Sequence, residues 1–598
     1  MGLKMNYIYL ILQIVLFAIL ILMKKSEKKL NFFRTLLITI TLILCYNIFV
    51  CYMLSVVGIK STLLNLSIVN LIIGGILSIK IIKTKEIQKY YIRKTDIYFL
   101  ITLFVLLGII AVFRFGIGFG KITYRTSDPS VHYTASYEFY ENSILLNKAE
   151  NDRLLKFNTM MPGSYINIGL LFKIFEEPSF KIYEIFDLIL LFLIGTSFYF
   201  IISKKQENKL NVFFQYLFSY IYFLGYPLNS MIWGFSYLSL GLLIINVVLL
   251  IIPKLNNKEY NLNLIIISSF LLTFGLFFTY YFFAPVVYAA IGIFILINII
   301  KEKQKLFSKQ NIIIIFMILI LPTIIGISYF ILPGIINNSG TDVEAITAEG
   351  AIYRNLFADF ILFMPFVFYY IYNKISKKEN NLVVITLIIL VIFAIIFLLG
   401  GMLGKVSSYY FYKVHYVLWM LVLVSAYEAL KILSEIKEIK AFLISFVIFY
   451  IFISLYGTLR IGTAIAKINP LFNPNNSEQY LVNIFKENSG LLLQENAVLN
   501  KKDFEILDNI SEEFNSDNTE IISGIYQRLW MYAMYNIESE ENWDTFFTEK
   551  NLNIDEWINK NKKYLIYLGN MQNIEIIEDN ENYIIKFSNE NGMILERK

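Results

Sequence analysis

Apolar runs about as long as a bilayer is thick recur through the first three quarters of the chain. A helix needs about 20 apolar residues to cross a membrane, and the pattern predicts about fourteen such helices. They lie near 6–23, 35–57, 62–81, 97–117, 181–202, 211–229, 235–252, 261–279, 281–300, 311–333, 355–373, 381–403, 414–432 and 441–459. The stretch 261–300 is twice one span, so we expect a helical hairpin with Pro285 near its turn.

Lysine and arginine are concentrated in one set of alternate loops. These basic loops lie at 24–29, 83–94, 204–205, 254–258, 301–309, 374–378 and 431–440. Because positive loops stay in the cytoplasm, the long loop 118–163 and everything after residue 460 are expected outside the cell. The first apolar run lacks a small-residue cleavage site, so we expect a retained helix in a multi-pass plasma-membrane protein.

The pattern becomes polar from about residue 465. Helical spacing occurs over 477–488 and again over 519–537, while 564–568, 574–578 and 583–587 have the character of strands. This predicts a small α/β domain over 465–598, outside the cell. The remainder divides into N-terminal transmembrane helices over 1–96 and a second transmembrane domain over 97–460, which contains the loop 118–163.

Composition excludes several classes of protein. Only 16% of the residues are charged, against about 25% in soluble domains, and an aromatic content of 17% is too high for a disordered chain. From Leu471 onwards there are 23 acidic and 11 basic residues, whereas the preceding chain carries 41 basic and 23 acidic residues. The basic excess lies in short loops, so membrane topology explains it and we expect no nucleic-acid partner.

The loop 118–163 contains the first candidate site. Asp128 precedes Pro129 and is followed four residues later by His132, one of only two histidines in the chain. If a helix begins after Asp128, with Pro129 at its first position, Asp128 is a capping residue and His132 lies one turn along the same face. The alternative is a general base at the outer membrane boundary, and the two interpretations are compatible. Arg125 stands beside this pair, and Arg114, near the end of the preceding span, faces an interior or snorkels to the interface.

A second group of candidates lies around residues 407–416. Tyr410, Lys413 and His415 occur there in an aromatic stretch, and Arg354 begins another span on the same predicted side. An aromatic belt at the membrane interface is the default interpretation. The alternative is that the cations bind a lipid phosphate while the aromatic faces stack on a sugar. Asp187 and Asp359, inside spans, would pair with these cations or pack as polar groups.

Several motifs are missing. There is no P-loop and no G-x-G-x-x-G, so nothing indicates a nucleotide-driven pump, and two histidines cannot build a rich zinc site. We therefore predict no cofactor and no metal site. A divalent ion bound by carboxylates is left open, but nothing in the sequence supports it. A transferase acting outside the cell, where nucleotide sugars are absent, would need a lipid-carried donor.

This arrangement resembles the GT-C-type glycosyltransferases, multi-spanning enzymes that use polyprenyl-phosphate-linked sugars. In that family the first large external loop carries an acidic residue near the end of a span. Residues 127–133 fit that position, and Met161-Pro162-Gly163-Ser164-Tyr165 followed by 166–175 fits the family's membrane-surface helix. The resemblance covers about 110–460 in layout. This chain departs from the family in three extra spans before the loop and in Asp-Pro-Ser where some members have Asp-Glu, which favours a single base over a metal.

The resemblance implies an α-helical polytopic fold in which 97–460 is catalytic. Its partners would be a polyprenyl-phosphate-linked sugar, a cell-envelope acceptor and the lipid bilayer of a bacterial plasma membrane. Asp128 would be the base, and the substrate-binding residues would be Arg125, His132, Arg354, Tyr410, Lys413 and His415. The alternatives are a surface-polysaccharide polymerase or ligase and a non-enzymatic lipid or solute transporter. Few midplane charges and no repeat argue against the transporter.

Overall fold

The protein is described by a computed structural model in which most of the chain is helical. The structure describes residues 4–84, 86–124, 128–143, 145, 161–203, 208–303, 305, 308–336, 359–436, 444–446, 483–493, 497–511, 513–537, 562–568 and 582–598. The helices are α1 (Met5–Leu22), α2 (Phe32–Val56), α3 (Leu63–Thr84), α4 (Lys94–Phe115), α5 (Asp128–Asn142), α6 (Gly163–Phe175), α7 (Phe180–Ile202), α8 (Lys209–Leu224), α9 (Tyr226–Ile232), α10 (Ser236–Ile251), α11 (Leu262–Tyr280), α12 (Ala284–Lys301), α13 (Lys309–Ile315), α14 (Leu321–Ile336), α15 (Met364–Ser376), α16 (Leu382–Met402), α17 (Ser408–Leu433), α18 (Ile484–Leu492), α19 (Lys501–Leu507) and α20 (Ile525–Tyr535).

Ten helical segments in the described ranges are long and apolar enough to cross a membrane. One of them, Leu262–Lys301, is 40 residues long and consists of α11 and α12 joined by a 3₁₀ turn at Tyr281–Phe283. Pro285 lies in the first turn of α12, where its missing N–H has no helical partner to lose. The predicted hairpin is therefore confirmed, and the chain is a multi-pass membrane protein.

Three other predicted spans either differ from the observed helices or lie partly outside the described residues. The region predicted at 211–229 forms two shorter helices, α8 and α9, because the chain turns at Gly225. Of the span predicted at 355–373, the structure describes the part from residue 359, where a 3₁₀ turn at Ile361–Phe363 leads into α15. Apart from 444–446, the span predicted at 441–459 lies outside the described residues.

Polar side chains fix where several of the membrane helices begin. Asn31, Asn261 and Asn381 each accept a hydrogen bond from a backbone N–H in the first turn of α2, α11 and α16, and Ser407 does the same for α17. Such caps satisfy N–H groups that have no partner inside the helix. A polar residue directly before an apolar run thus sets the start of each of these spans.

The chain divides into two units. The first comprises 1–107, 138–231 and 236–491, and the second comprises 108–137, 232–235 and 492–598. In the first unit most residues of α7, α10 and α17 are buried, and all of α10 is. In contrast, α1 and α3 expose most of their apolar side chains. Because these exposed surfaces are apolar, they are suited to contact with lipid tails.

The second unit contains a four-stranded sheet in the order β3-β4-β6-β5. Its strands are β3 (Thr519–Ile522), β4 (Tyr564–Leu568), β5 (Tyr583–Asn589) and β6 (Gly592–Arg597), and a separate parallel pair in the first unit joins β1 (Leu30–Asn31) to β2 (Tyr90–Tyr91). Strands β3 and β4 are parallel, whereas β6 runs antiparallel to both of its neighbours. The predicted strands at 564–568 and 583–587 are confirmed, and the one at 574–578 lies outside the described residues.

Two details of the C-terminal region differ from the sequence-based expectation. The helix predicted over 519–537 was wrong at its start, since residues Thr519–Ile522 form a buried strand and the helix begins at Ile525. Pairing with β4 overrides the helical spacing there. Helix α18 occupies part of the helix predicted over 477–488, of which residues 477–482 lie outside the described ranges.

Candidate functional site

Asp128 is the first residue of helix α5, and His132 follows one turn later. The helix thus includes Asp128 itself and does not begin after it as the capping interpretation supposed, and the spacing of four residues places both side chains on one helix face. Asp128 is half-buried and His132 is almost completely buried. Acidic side chains are favoured at this end of a helix by the backbone dipole. The position therefore suits an anionic side chain whether or not it takes part in catalysis.

The start of α5 packs closely against the backbone of Gly234, within the second unit. Gly234 has a φ of +71°, and a Cβ atom added there would lie 2.3 Å from Cγ of Pro129 and 3.1 Å from a ring atom of Tyr124. Only glycine fits this position. Pro129 is packed against the Gly234 backbone, so the residue next to Asp128 has a fixed environment.

Arg114 is buried within the second unit. One of its Nη atoms donates a 2.5 Å hydrogen bond to the carbonyl of Ile232, and its guanidinium lies 5.2 Å from the ring centroid of Tyr124. The side chain is only 5% exposed, so it faces an interior and does not snorkel to the interface. Tyr124 also packs against Trp530, whose ring centroid lies 6.1 Å away. The cation therefore belongs to an aromatic core.

Lys413 occupies an aromatic cage in the first unit. Its ammonium group lies 4.9, 5.6 and 5.9 Å from the ring centroids of Tyr409, Tyr237 and Tyr416, and it donates a 3.4 Å hydrogen bond to the hydroxyl of Tyr237. The residue has no exposed surface. A desolvated cation gains about 2 kcal/mol or more from aromatic faces. The cage can hold the ammonium in place and present its positive charge to an anion.

His415 is surrounded by a different set of rings. The centroids of Phe411, Tyr412 and Phe360 lie 5.0, 5.4 and 5.8 Å from its own, and it is 1% exposed. Tyr410 is half-buried and packs on Phe282 at 5.4 Å and on Tyr409, a wall of the Lys413 cage, at 5.3 Å. Lys413 and His415 thus have separate aromatic surroundings, and Tyr410 borders that of Lys413. Phe411 and Tyr412 are also buried, so this part of the aromatic stretch packs in the interior.

A buried hydrogen-bond network lies beside the Lys413 cage. Tyr226 donates a 2.8 Å hydrogen bond to Asp359, whose other oxygen accepts one from the backbone N–H of Ile484. Tyr416, a wall of the cage, donates a 2.7 Å bond to Asn229. Asn229 and Ile484 were not candidates in the sequence, because an uncharged side chain in an apolar run and a backbone N–H give no signal of their own. Both oxygens of the Asp359 carboxylate therefore accept a hydrogen bond.

Glu184 and Asp187 lie one turn apart on α7, and each is 1% exposed. Two buried carboxylates in one apolar helix are expensive, and such residues mark functional or paired positions. Asp187 was noted from its position in a span, whereas Glu184 was missed. An acidic residue four positions from the start of a long apolar run was the available signal.

The candidate residues fall into separate parts of the structure. Asp128 and His132 belong to the second unit, whereas Tyr410, Lys413 and His415 belong to the first. Arg125 and Arg354 lie outside the described residues. Within the described ranges, no group of three or more His, Cys, Asp or Glu side chains is arranged to hold a metal ion.

Comparison with known proteins gives a likeness in structure and none in sequence. No protein-family model matches the sequence, and no curated protein is similar to it. Among solved structures, the chain is similar to the archaeal oligosaccharyltransferase AglB from Archaeoglobus fulgidus, in complex with an inhibitory peptide and a dolichol-phosphate. The identity is 13% and the TM-score 0.32, over 80% of this chain and 70% of that chain. Both values are too low to assign a family or an activity.

Proposed function

We propose that the protein is a membrane glycosyltransferase that moves a sugar from a polyprenyl-phosphate donor to a cell-envelope acceptor on the outer face of the membrane. The observation that carries the proposal is the placement of Asp128 at the first position of α5, in the long loop that follows the membrane span α4, and one helical turn before His132. This is the position of the acidic residue in the GT-C-type layout.

In the proposed reaction, the acceptor hydroxyl oxygen attacks the anomeric carbon of the donor sugar. Asp128 takes the hydroxyl proton, the new glycosidic bond forms, and the bond from the anomeric carbon to the phosphate oxygen breaks. The electron pair of that bond leaves with the polyprenyl phosphate. A positioned base of this kind contributes about 10²–10⁴ in rate.

The leaving phosphate gains negative charge in the transition state, so a fixed cation nearby would stabilise it. Lys413 suits that role because the cage of Tyr237, Tyr409 and Tyr416 holds its ammonium away from water. We assign the role of phosphate ligand to Lys413, with His415 and Arg354 as further donors and Tyr410 as a stacking surface for the sugar. Arg125 and His132 would orient Asp128 or the acceptor.

The test is a transfer assay with full-length protein in lipid nanodiscs. A radiolabelled polyprenyl-phosphate hexose and an envelope extract are the substrates. Asp128→Asn removes the base at nearly constant volume, so we expect transfer to fall by about 10²-fold or more while donor binding is kept. Glu141→Gln is the matched control, because Glu141 is exposed at the other end of the same helix. Its transfer rate should equal that of the wild type.

A second variant separates binding from chemistry. Lys413→Gln should weaken donor binding about tenfold, the loss expected for one charge-assisted hydrogen bond. Full transfer by Asp128→Asn would rule out the base assignment. Donor binding without transfer by wild-type protein, on every envelope acceptor offered, would instead favour a lipid transporter.

A further inference from the structure

An apolar cavity lies between α1, α2, α3 and α11 in the first unit, next to the basic loops 24–29 and 254–258. Its volume is about 390 Å³, within the usual range for ligand pockets. Along α2 its lining extends from Thr35 to Phe49, a distance of about 21 Å at 1.5 Å per residue. The hydrocarbon core of a bilayer is about 30 Å thick. The cavity therefore extends from one membrane boundary past the middle of the bilayer, deep enough to take the lipid chain of one leaflet.

Positive side chains gather at the loop end of this cavity. Lys25 and Lys254 line it, and both Lys25 and Arg34 are close enough to Lys254 to repel its charge. The Lys254 ammonium lies 4.9 Å from the ring centroid of Tyr260, and the Lys25 ammonium donates to the carbonyls of Leu20 and Ile21 at the end of α1. Arg34, in the first turn of α2, has a buried Nε atom without a hydrogen-bond partner in the described part of the chain.

The acidic residues at this end are paired with other cations. Glu27 and Glu86 pair with Lys24 at 2.8 and 3.0 Å, while Glu259 pairs with Lys28 at 2.5 Å. Across the described ranges, no carboxylate oxygen lies within 4 Å of Lys25, Arg34 or Lys254. Burial lowers the pKa of Lys25, which lies in the loop after α1, to about 8, so its ammonium is still mostly charged at neutral pH. No described acidic side chain neutralises this cluster.

We propose that this cavity binds one membrane phospholipid with a net negative head group. One acyl chain would fill the space between α1, α2, α3 and α11, and the phosphate would lie against Lys25, Arg34 and Lys254. Entry would be lateral, because α3 is largely exposed beside the cavity: Ile76 is 62% exposed, next to the lining residue Leu77. The proposal concerns a lipid that stays bound and does not depend on the transferase activity.

The experiment measures which lipids the full-length protein retains. Purified protein is equilibrated with vesicles of equal phosphatidylglycerol and phosphatidylcholine content, extracted, and analysed by native mass spectrometry. Leu77→Trp fills the cavity, and Ile76→Trp is its control, because it places the same ring on the exposed side of the same helix. Lys254→Gln removes a charge from the cluster, and Lys258→Gln removes one from an exposed position four residues later.

We expect wild-type protein to retain one phosphatidylglycerol in preference to phosphatidylcholine. Leu77→Trp should lose this lipid and Ile76→Trp should keep it. Lys254→Gln should reduce retention about tenfold, the loss of one charge-assisted contact, while Lys258→Gln leaves it unchanged. Equal retention of the two lipids by wild type would overturn the proposal, as would equal retention by Leu77→Trp and Ile76→Trp. If Leu77→Trp does not fold, the Lys254→Gln and Lys258→Gln pair decides the question by itself.

Discussion

The substitution Gly234→Ala is expected to disturb the start of α5, and with it Asp128, without touching the carboxylate. The new Cβ would lie 2.3 Å from Cγ and 2.9 Å from Cβ of Pro129. A proline ring cannot rotate aside as a flexible side chain does, so the backbone at the first turn of α5 must shift. Because Pro129 directly follows Asp128, the shift is passed to the proposed base.

The cost of this substitution has two parts. Alanine at a φ of +71° costs about 1–2 kcal/mol, because its Cβ crowds the following carbonyl. Forcing a methyl group into a filled space costs about 1–3 kcal/mol more. Gly118→Ala is the matched control, since Gly118 has a φ of +75° with no atom within 4 Å of its added Cβ. Gly118→Ala should lower the free energy of unfolding only by the backbone cost, about 1–2 kcal/mol. Gly234→Ala should lower it by both costs together, about 2–5 kcal/mol.

The assay is thermal unfolding of the purified variants in one detergent, alongside the transfer rate. Gly234→Ala should lower the unfolding midpoint more than Gly118→Ala and should reduce transfer more strongly. An equal fall in midpoint for the two variants would refute the reasoning, because it would show that the contact with Pro129 costs nothing. A larger loss of stability with an unchanged transfer rate would break the link between the start of α5 and the chemistry.

Two further predictions concern stability. Burial lowers the pKa of Lys173, which lies on the short helix α6, from 10.5 to about 8, so between pH 8 and about 10.5 the unfolded chain holds a proton that the folded chain has lost. The free energy of unfolding should therefore rise with pH across that window, by no more than about 3 kcal/mol. Lys173→Met should remove this part of the rise, as measured by urea unfolding at several pH values. An identical pH dependence for both proteins would contradict the assignment. In the C-terminal region, Asn500 accepts hydrogen bonds from the backbone of Lys502 and Asp503, so Asn500→Ala should cost about 1 kcal/mol of unfolding free energy. The exposed Asn509→Ala should change it by less than about 0.5 kcal/mol, and equal losses would argue against the cap.

The sequence alone predicted the membrane architecture well, because the bilayer imposes a length and an apolar character on every span. Helices α2, α7 and α16 lie within three residues of the predicted spans at their N-terminal ends. The hairpin at Leu262–Lys301 followed from its length of 40 residues. Local chemistry indicated a helix close to Asp128, since Asp before Pro is typical of a helix start, although the helix begins at Asp128 and not after it.

Other features were decided by contacts between distant parts of the chain. Residues Thr519–Ile522 have helical spacing with the residues that follow, yet they form a strand because β4 pairs with them. Arg114 was equally suited to an interface or an interior, and the carbonyl of Ile232, which is 118 residues away, settles its place.

The sequence by itself determined which segments enter the membrane, since hydropathy and length are properties of each segment alone. It also marked Asp128 and Lys413 as chemically unusual for their positions. Only the tertiary structure decided their surroundings. The cage around Lys413 brings in Tyr237, 176 residues away, and the bond between Tyr226 and Asp359 spans 133 residues. The physical reason is that helix packing selects which polar groups meet inside the bundle, and apolar periodicity does not encode that choice.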